Sequence, residues 1–333
     1  MDTNERKLQK WLEFTQKIFS SLEMDQTART IMDIGLELLD MQRGFVAVLE
    51  PGATIGRFIL GRTDQQRTLE EKDFDNVSNG FIHARLKNPE IYSESNHDRL
   101  RLFIPLFSAR TTVEPKTPIA YLYQERDQIT TFDSEEKELA EVFGLHAGMA
   151  LENVRLYETA TRDPLTGLYL HHYFNAIALV EWKRTVRHGH PLSVIFLDID
   201  NFKSINEFHG RAIGDSILQK IAGILKEACR SEDSISRYGG EEFVALLPET
   251  DESGVKTVAS RIQEDVSLIL STPDAKSVTV SIGASTYPRC AVNHVQNLIQ
   301  LAEIARLRSF QLGGGRTVIY EPALSNEHVK LFQ

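Results

Sequence analysis

Leu8, Trp11, Leu12, Thr15, Ile18, Phe19 and Leu22 recur at the spacing of one helical face, so the chain is expected to open with an amphipathic helix. A second helical pattern covers Thr27 to Leu39. Strand-like runs follow at Gly44 to Glu50 and Arg57 to Leu60, a helix or helical loop at Asp73 to Leu86, and strands at Leu102 to Phe107 and Pro118 to Gln124. Strands flanked by helices predict an α+β sensor-like module. A long helix starts near Asp133, where Asp133 and Glu136 have the spacing of a capping box. Along it Leu139, Val142, His146, Met149, Asn153, Leu156 and Ala160 fit the a and d positions of a heptad, while Phe143, Ala147, Ala150, Leu151 and Val154 form another stripe. The first stripe suits a twin helix and the second suits the helix's own module; a surface helix with one apolar face accounts for the heptad equally well.

Pro164 ends that helix, because proline lacks the N–H a continuing helix needs. Strands and helices then alternate: a buried strand at Leu192 to Leu197, a helix at Asp215 to Cys229, a hairpin, a helix at Glu252 to Leu270, a strand at Val278 to Ile282, a helix at His294 to Leu312 and a last strand at Thr317 to Tyr320. The pattern predicts a sheet with helices packed on it.

The 333 residues suit two domains, and 41% hydrophobic with 25% charged residues is ordinary globular composition. A net charge of −10 argues against coating nucleic acid, which needs clustered Lys and Arg. The charged start from Met1 to Lys10 carries no signal-peptide pattern, and no apolar run approaches the roughly 20 residues that cross a bilayer. Two cysteines, Cys229 and Cys290, make no disulfide framework, and a cytoplasmic setting without membrane or nucleic-acid partners is expected.

Three acidic sites carry the candidate chemistry. Gly239-Gly240-Glu241-Glu242 lies between strand-like runs, and Gly-Gly signals a hairpin because primed turns need positive φ. Two carboxylates at such a tip repel each other and make sense against a cation or a proton-bearing substrate. Asp198 and Asp200 close a hydrophobic strand on one face, a placement that suits Mg²⁺. Asp200 is read as capping the next turn; for Asp198, deep in an apolar run, metal binding and a structural role both stay open. Asp215, after Gly214, is in isolation a helix N-cap; alternatively its carboxylate accepts the paired N–H groups of guanine, with Asn206 adding an amide.

Taken together, Leu165-Thr166-Gly167-Leu168, Asp198-Ile199-Asp200-Asn201-Phe202-Lys203, Asn206, Gly214-Asp215 and Gly239-Gly240-Glu241-Glu242-Phe243 resemble the GGDEF family of diguanylate cyclases over about Thr161 to Tyr320. The resemblance implies a palm-like nucleotidyl-cyclase fold and condensation of two GTP into cyclic di-GMP with release of two pyrophosphates. It also implies metal binding by Asp198, the Ile199 carbonyl and Glu241, with two Mg²⁺ per site and Mn²⁺ as the alternative. Glu241 would be the base for the ribose hydroxyl and Glu242 its neighbouring acid, with Lys203 stabilising phosphoryl charge. Asn206 and Asp215 would bind guanine, Gly239 and Gly240 would let backbone approach the phosphates, and Asn201 and Phe202 would offer N–H groups. Arg230, Asp233 and Arg261 match an inhibitory site for product.

The match departs where the family carries a phosphate-binding Lys: Phe310 stands there, extra glycines displace Arg316, and Arg308 is a partial substitute. Leu170-His171 replaces the usual Asn-Arg, and Arg211 follows Gly210 where His is common. The first half resembles GAF domains, through Phe132-Asp133-Ser134-Glu135-Glu136 and Leu151-Glu152-Asn153-Val154-Arg155-Leu156-Tyr157. This implies a small-molecule ligand, by analogy a cyclic nucleotide; with no cysteine before Cys229 a covalent bilin is disfavoured, and His83, His97 and His146 are weak haem candidates. The expected division is a helix at 1–24, a GAF sensor at 25–132, a linker helix at 133–161, a GGDEF domain at 162–322 and a tail at 323–333. The expected protein is a ligand-regulated, product-inhibited homodimeric cyclase; the alternative is a silent GGDEF fold that receives cyclic di-GMP or GTP. A cyclase using ATP is disfavoured by Asp215.

Overall fold

A computed structural model of the chain describes residues 12–49, 55–59, 90–96, 99–108, 118–127, 132–269 and 277–321. Leu8, Trp11, Leu60 and the expected helix at Asp73 to Leu86 lie outside them. The chain divides into two compact units at Glu158/Thr159, three residues before the expected boundary.

In the first unit, residues 12–18 are helical (α1). They precede Met24–Leu38 (α2), then Arg43–Leu49 (β1), Ile55–Ile59 (β2), Tyr92–Asn96 (β3), Arg99–Phe107 (β4) and Pro118–Arg126 (β5), and the helix Ser134–Thr161 (α3). The strands form one antiparallel sheet in the order β2-β1-β5-β4-β3. β3, Tyr-Ser-Glu-Ser-Asn, has no apolar alternation and so gave no sequence signal; it forms at the sheet edge by pairing with β4. Val46, Leu102, Ile104 and Leu122 face Ile31 and Met32 of α2 and the Phe143, Ala147, Ala150, Leu151 and Val154 stripe of α3 in one core. α3 lies flush on the sheet because Gly148 has no side chain: a Cβ there would sit 2.2 Å from the Phe107 carbonyl oxygen. The capping box is formed, with Glu136 N–H donating to Asp133 Oδ1 at 2.8 Å and Asp133 N–H donating to Glu136 Oε2 at 3.1 Å. Arg126 also donates to Glu136 and to the Leu39 carbonyl, both at 3.3 Å. Of the heptad positions, Val142, Met149, Asn153 and Ala160 are exposed, and Leu139, His146 and Leu156 are half-buried.

The second unit contains Tyr169–Leu170 (β6), His171–His188 (α4), Leu192–Ile199 (β7), Phe202–His209 (α5) and Arg211–Ala228 (α6). Ser234–Arg237 (β8), Glu242–Pro248 (β9), Glu252–Ile269 (α7), Val280–Tyr287 (β10), Val295–Gln311 (α8) and Thr317–Ile319 (β11) follow. Six strands run in the order β11-β10-β7-β9-β8-β6, with β7 antiparallel to both neighbours. β7 is mostly apolar, Ser193 and Asp198 excepted, because both its faces are covered. Ile195, Leu197 and Ile199 join α6 and α7 in one core, while Leu192, Val194 and Phe196 join α4 and α8 in the other.

Two boundaries differ from expectation for physical reasons. α6 starts at Arg211, not Asp215, so Asp215 lies within the helix and is not its N-cap; Gly210 holds that position at φ 83°. β10 runs on through Ser285 to Tyr287, where small polar residues mask the strand pattern. Ser285 is buried there and satisfied by donating its Oγ–H to the Leu298 carbonyl at 2.6 Å.

Candidate active site

The site is built at the Asp198 end of β7. Asp198 pairs in register with Glu242 of β9, so the two side chains share a sheet face. α8 covers that face at very short range, because Gly283 of β10 opposes it: a Cβ on Gly283 would lie 2.1 Å from both the Ala302 oxygen and the Arg306 nitrogen. The close approach delivers Arg306, whose Nη1 is 3.3 Å from Asp198 Oδ2 and whose Nη2 is 3.5 Å from Glu242 Oε1. Arg306 matches no motif residue. Its sequence signal is a charged residue in the small-residue stripe Ala302, Ala305 and Ser309, which marks the buried side of α8.

Burial pushes the Asp198 carboxyl up to about 6, with Arg306 opposing and Glu242, Glu241 and Asp200 reinforcing the rise. Two carboxylates, Asp198 and Glu242, share one guanidinium, and the resulting excess of negative charge is the setting a divalent cation relieves. Ile199 is buried in the core, so only its carbonyl is available to a ligand. Among the described residues no three His, Cys, Asp or Glu side chains are gathered to hold an ion. A donor set of Asp198, Glu241 and the Ile199 carbonyl fits a hard cation that retains waters and takes one or two protein carboxylates.

The hairpin between β8 and β9 forms as expected, but not with a primed turn. Neither Gly239 nor Gly240 is among the residues at positive φ. Tyr238 and Gly239 both donate backbone N–H to the Glu242 carbonyl, at 2.8 and 3.2 Å, which makes a longer loop. Gly239 lies against the Glu242 side chain: a Cβ there would be 2.5 Å from Glu242 Oε2 unless that carboxylate moved. Arg237 clamps the loop by donating to the Gly240 carbonyl at 2.8 and 3.1 Å and to Asp163 at 3.1 Å. Asp163 also accepts from Thr166 N–H and Oγ1, and these donors hold its carboxyl below the usual range against the opposing effect of burial, the largest single influence.

Asp200 does not cap α5. Buried at 8% exposure, it accepts from Ser281 Oγ at 2.6 Å, Thr279 Oγ1 at 2.7 Å and Gly315 N–H at 2.8 Å. The Gly313-Gly314-Gly315 run, all at positive φ, is thereby fixed to β10, and a Cβ at Gly314 would strike the Asp200 carboxylate at 2.7 Å. Arg316 is anchored in the same loop, its Nε donating to the Gly314 carbonyl at 3.2 Å. Phe310 is 52% exposed at the end of α8.

Asn206 and Asp215 are brought together by α5 packing on α6. The Asn206 amide lies over Gly214, where a Cβ would be 1.9 Å from its Oδ1, and Asp215 is the next, exposed residue. Asn201 adopts the left-handed conformation at φ 56°, and Phe202 is buried in the core, so their contributions to a ligand are through backbone. Lys203 projects into solvent, 87% exposed and 3.9 Å from Glu207. Arg230, Asp233 and Arg261 meet beside Cys229 at the end of α6. There Asp233 Oδ2 accepts the Arg230 N–H at 2.7 Å, and Arg261 donates to the Ala228 carbonyl. Burial pushes the Asp233 carboxyl up and the Cys229 thiol up to about 12.

Residues 160–314 match the family model described as "Diguanylate cyclase, GGDEF domain". The chain is 36% identical over 194 residues to "Diguanylate cyclase A" of Treponema denticola, covering 56% of this chain and 52% of the relative. It is 31% identical over 182 residues to "Probable diguanylate cyclase DgcT" of Escherichia coli, covering 54% and 39%. The chain therefore spans about half or less of the length of these relatives. The crystal structure of the coiled coil and GGDEF domain of DgcB from Caulobacter crescentus, in complex with c-di-GMP, superposes with a TM-score of 0.51 at 24% identity, over 56% of this chain and 100% of that one. The second unit thus has the nucleotidyl-cyclase-like α/β fold of a GGDEF domain, and its sequence is similar to the diguanylate cyclase family over residues 160–314.

Proposed function

We propose that this protein is a diguanylate cyclase, joining two GTP into cyclic di-GMP with release of two pyrophosphates. The observation that carries the reading is the pairing of Asp198 with Glu242 across β7 and β9, beside Glu241, in a unit that also sets Asn206 against Gly214-Asp215. In this reading Asp198, the Ile199 carbonyl and Glu241 hold Mg²⁺, or Mn²⁺, up to two ions per site. The ion supplies charge neutralisation at the transferring phosphoryl and a lowered pKa at the attacking hydroxyl. Glu241 takes the 3′-hydroxyl proton and Glu242 supports it. Asn206 and Asp215 orient guanine, Lys203 meets phosphate charge from solvent, and the backbone at Asn201, Phe202, Gly239 and Gly240 approaches the phosphates. Incubation with GTP and Mg²⁺ should yield cyclic di-GMP, and Glu241→Ala should abolish it; no product from the unaltered chain would refute the reading.

Each site holds one GTP in this scheme, so two copies must meet, and the exposed Val142, Leu145 and Met149 of α3 fit a homodimer seam. The first unit is read as a GAF-type sensor for a small ligand, by analogy a cyclic nucleotide, acting through α3. Product inhibition at Arg230, Asp233 and Arg261 belongs to the same reading, although Asp233 and Arg261 already hold local structure. Arg230→Ala should relieve inhibition by added cyclic di-GMP, and an unchanged inhibition curve would remove that site from the proposal.

A receptor without turnover is the second reading. It is favoured by exposed Phe310 where a phosphate cation is expected. Cyclic di-GMP binding without product formation from GTP would establish it.

A further inference from the structure

Arg306 is set unusually for an arginine. Its side chain is 10% exposed, its guanidinium carbon stands 5.6 Å from the Phe196 ring centroid, and its Nε is buried without a hydrogen-bond partner. Its contacts to Asp198 and Glu242, at 3.3 and 3.5 Å, are longer than the roughly 2.7–2.9 Å of a well-made charge-assisted hydrogen bond. A buried guanidinium with an orphaned N–H and two long contacts is incompletely satisfied, so withdrawing it loses less than breaking a tight ion pair. Phe310 lies four residues on, one turn along the same helical face. Among the described residues of α8, Arg306 is the buried cation, and it engages Asp198, a carboxylate of the proposed metal set, together with the adjacent Glu242.

We propose that Arg306 is a resident cation: it holds the Asp198–Glu242 pair when no divalent ion is bound, must release Asp198 for one to bind, and then carries its charge to the nucleotide phosphates. The inference rests on the cation-dependent reading of the site and adds to it a built-in competitor. Two consequences separate it from a merely structural arginine. Without nucleotide, divalent-cation affinity is held down by Arg306. With nucleotide, the released guanidinium gains a new partner, so nucleotide and cation strengthen each other's binding through this residue.

The test is Mn²⁺ binding to the full chain, followed by electron paramagnetic resonance or calorimetry at pH about 8, where carboxylates are ionised. The variants are Arg306→Met, Arg306→Lys and Asp198→Asn, with thermal unfolding as a check on folding. Arg306→Met should bind Mn²⁺ about tenfold more tightly than the unaltered chain, the scale of one pKa unit of lost competition. Arg306→Lys should fall between, and Asp198→Asn should abolish binding. A non-hydrolysable GTP analogue should tighten Mn²⁺ binding in the unaltered chain by a larger factor than in Arg306→Met. Equal Mn²⁺ affinity in the unaltered chain and Arg306→Met, with Asp198→Asn still abolishing binding, overturns the competitor while leaving the site intact. Equal enhancement by the nucleotide analogue in both overturns the transfer to phosphate. Mn²⁺ binding that survives Asp198→Asn overturns the reading of the site itself. If Arg306→Met does not fold, the Arg306→Lys comparison decides: affinity no tighter than the unaltered chain overturns the proposal.

Discussion

At the scale of single residues, the two aspartates that end β7 do opposite work, although the sequence presents them as a pair. Asp200 has its oxygens filled by Ser281, Thr279 and the Gly315 N–H, and so serves the fold. Asp200→Ala should cost about 2–4 kcal/mol by leaving buried donors unpaired, read by chemical denaturation. Asp198 has only the long Arg306 contact among charged partners of opposite sign, and carries the raised carboxyl. Its unfolded value is 3.8 and its folded value about 6. Between these the native state keeps a proton that the unfolded chain has lost, so with divalent cations chelated its effect is to lower stability as pH rises through that window and to level off above it. Asp198→Asn should flatten this part of the stability curve; an unchanged slope would mean that Asp198 titrates normally. The split between the two was not legible in Asp198-Ile199-Asp200, because it depends on hydroxyls from β10 and a glycine loop more than a hundred residues away in sequence.

At the scale of elements, close approach decides the site. Gly283 lets α8 rest on β10 backbone to backbone, and Arg306 reaches Asp198 for that reason. Gly283→Ala should cost about 2–4 kcal/mol, since the clash is with main-chain atoms that cannot swing aside, and should disturb Mn²⁺ binding as well. A variant of unaltered stability would show that the helix tolerates the shift. The capping box at Asp133 is a milder case: Asp133→Ala should lower stability by about 1 kcal/mol in the same measurement. β7 was readable as a mostly unbroken apolar run buried on both faces, and the inner stripe of α3 because one-sided burial writes a helical period. β3 and the far half of β10 were not, since polar residues satisfied by neighbours look like loop. The start of α6 was misjudged because Gly210, not an acidic residue, begins it.

At the scale of the molecule, each unit holds its own core, and α3 is built mainly into the first of them. Among the described residues no helix is long and apolar enough to cross a membrane. The heptad reading of α3 anticipated both a buried and an outward stripe, and Val142, Leu145 and Met149 remain uncovered within one copy. Val142→Asp combined with Met149→Asp should convert a dimer to a monomer in light scattering and lower the specific activity steeply. A dimer that persists in that variant would remove α3 from the seam.

The start of α3 is tied down twice: by the reciprocal bonds of Asp133 and Glu136, and by Arg126, which joins Glu136 to the end of β5 and to the Leu39 carbonyl behind α2. With Gly148 seated on Phe107, the first four turns are anchored to the sheet at both ends. Any shift of the sheet therefore carries these turns of the helix with it, as tilting a table tilts a ruler clamped to its edge.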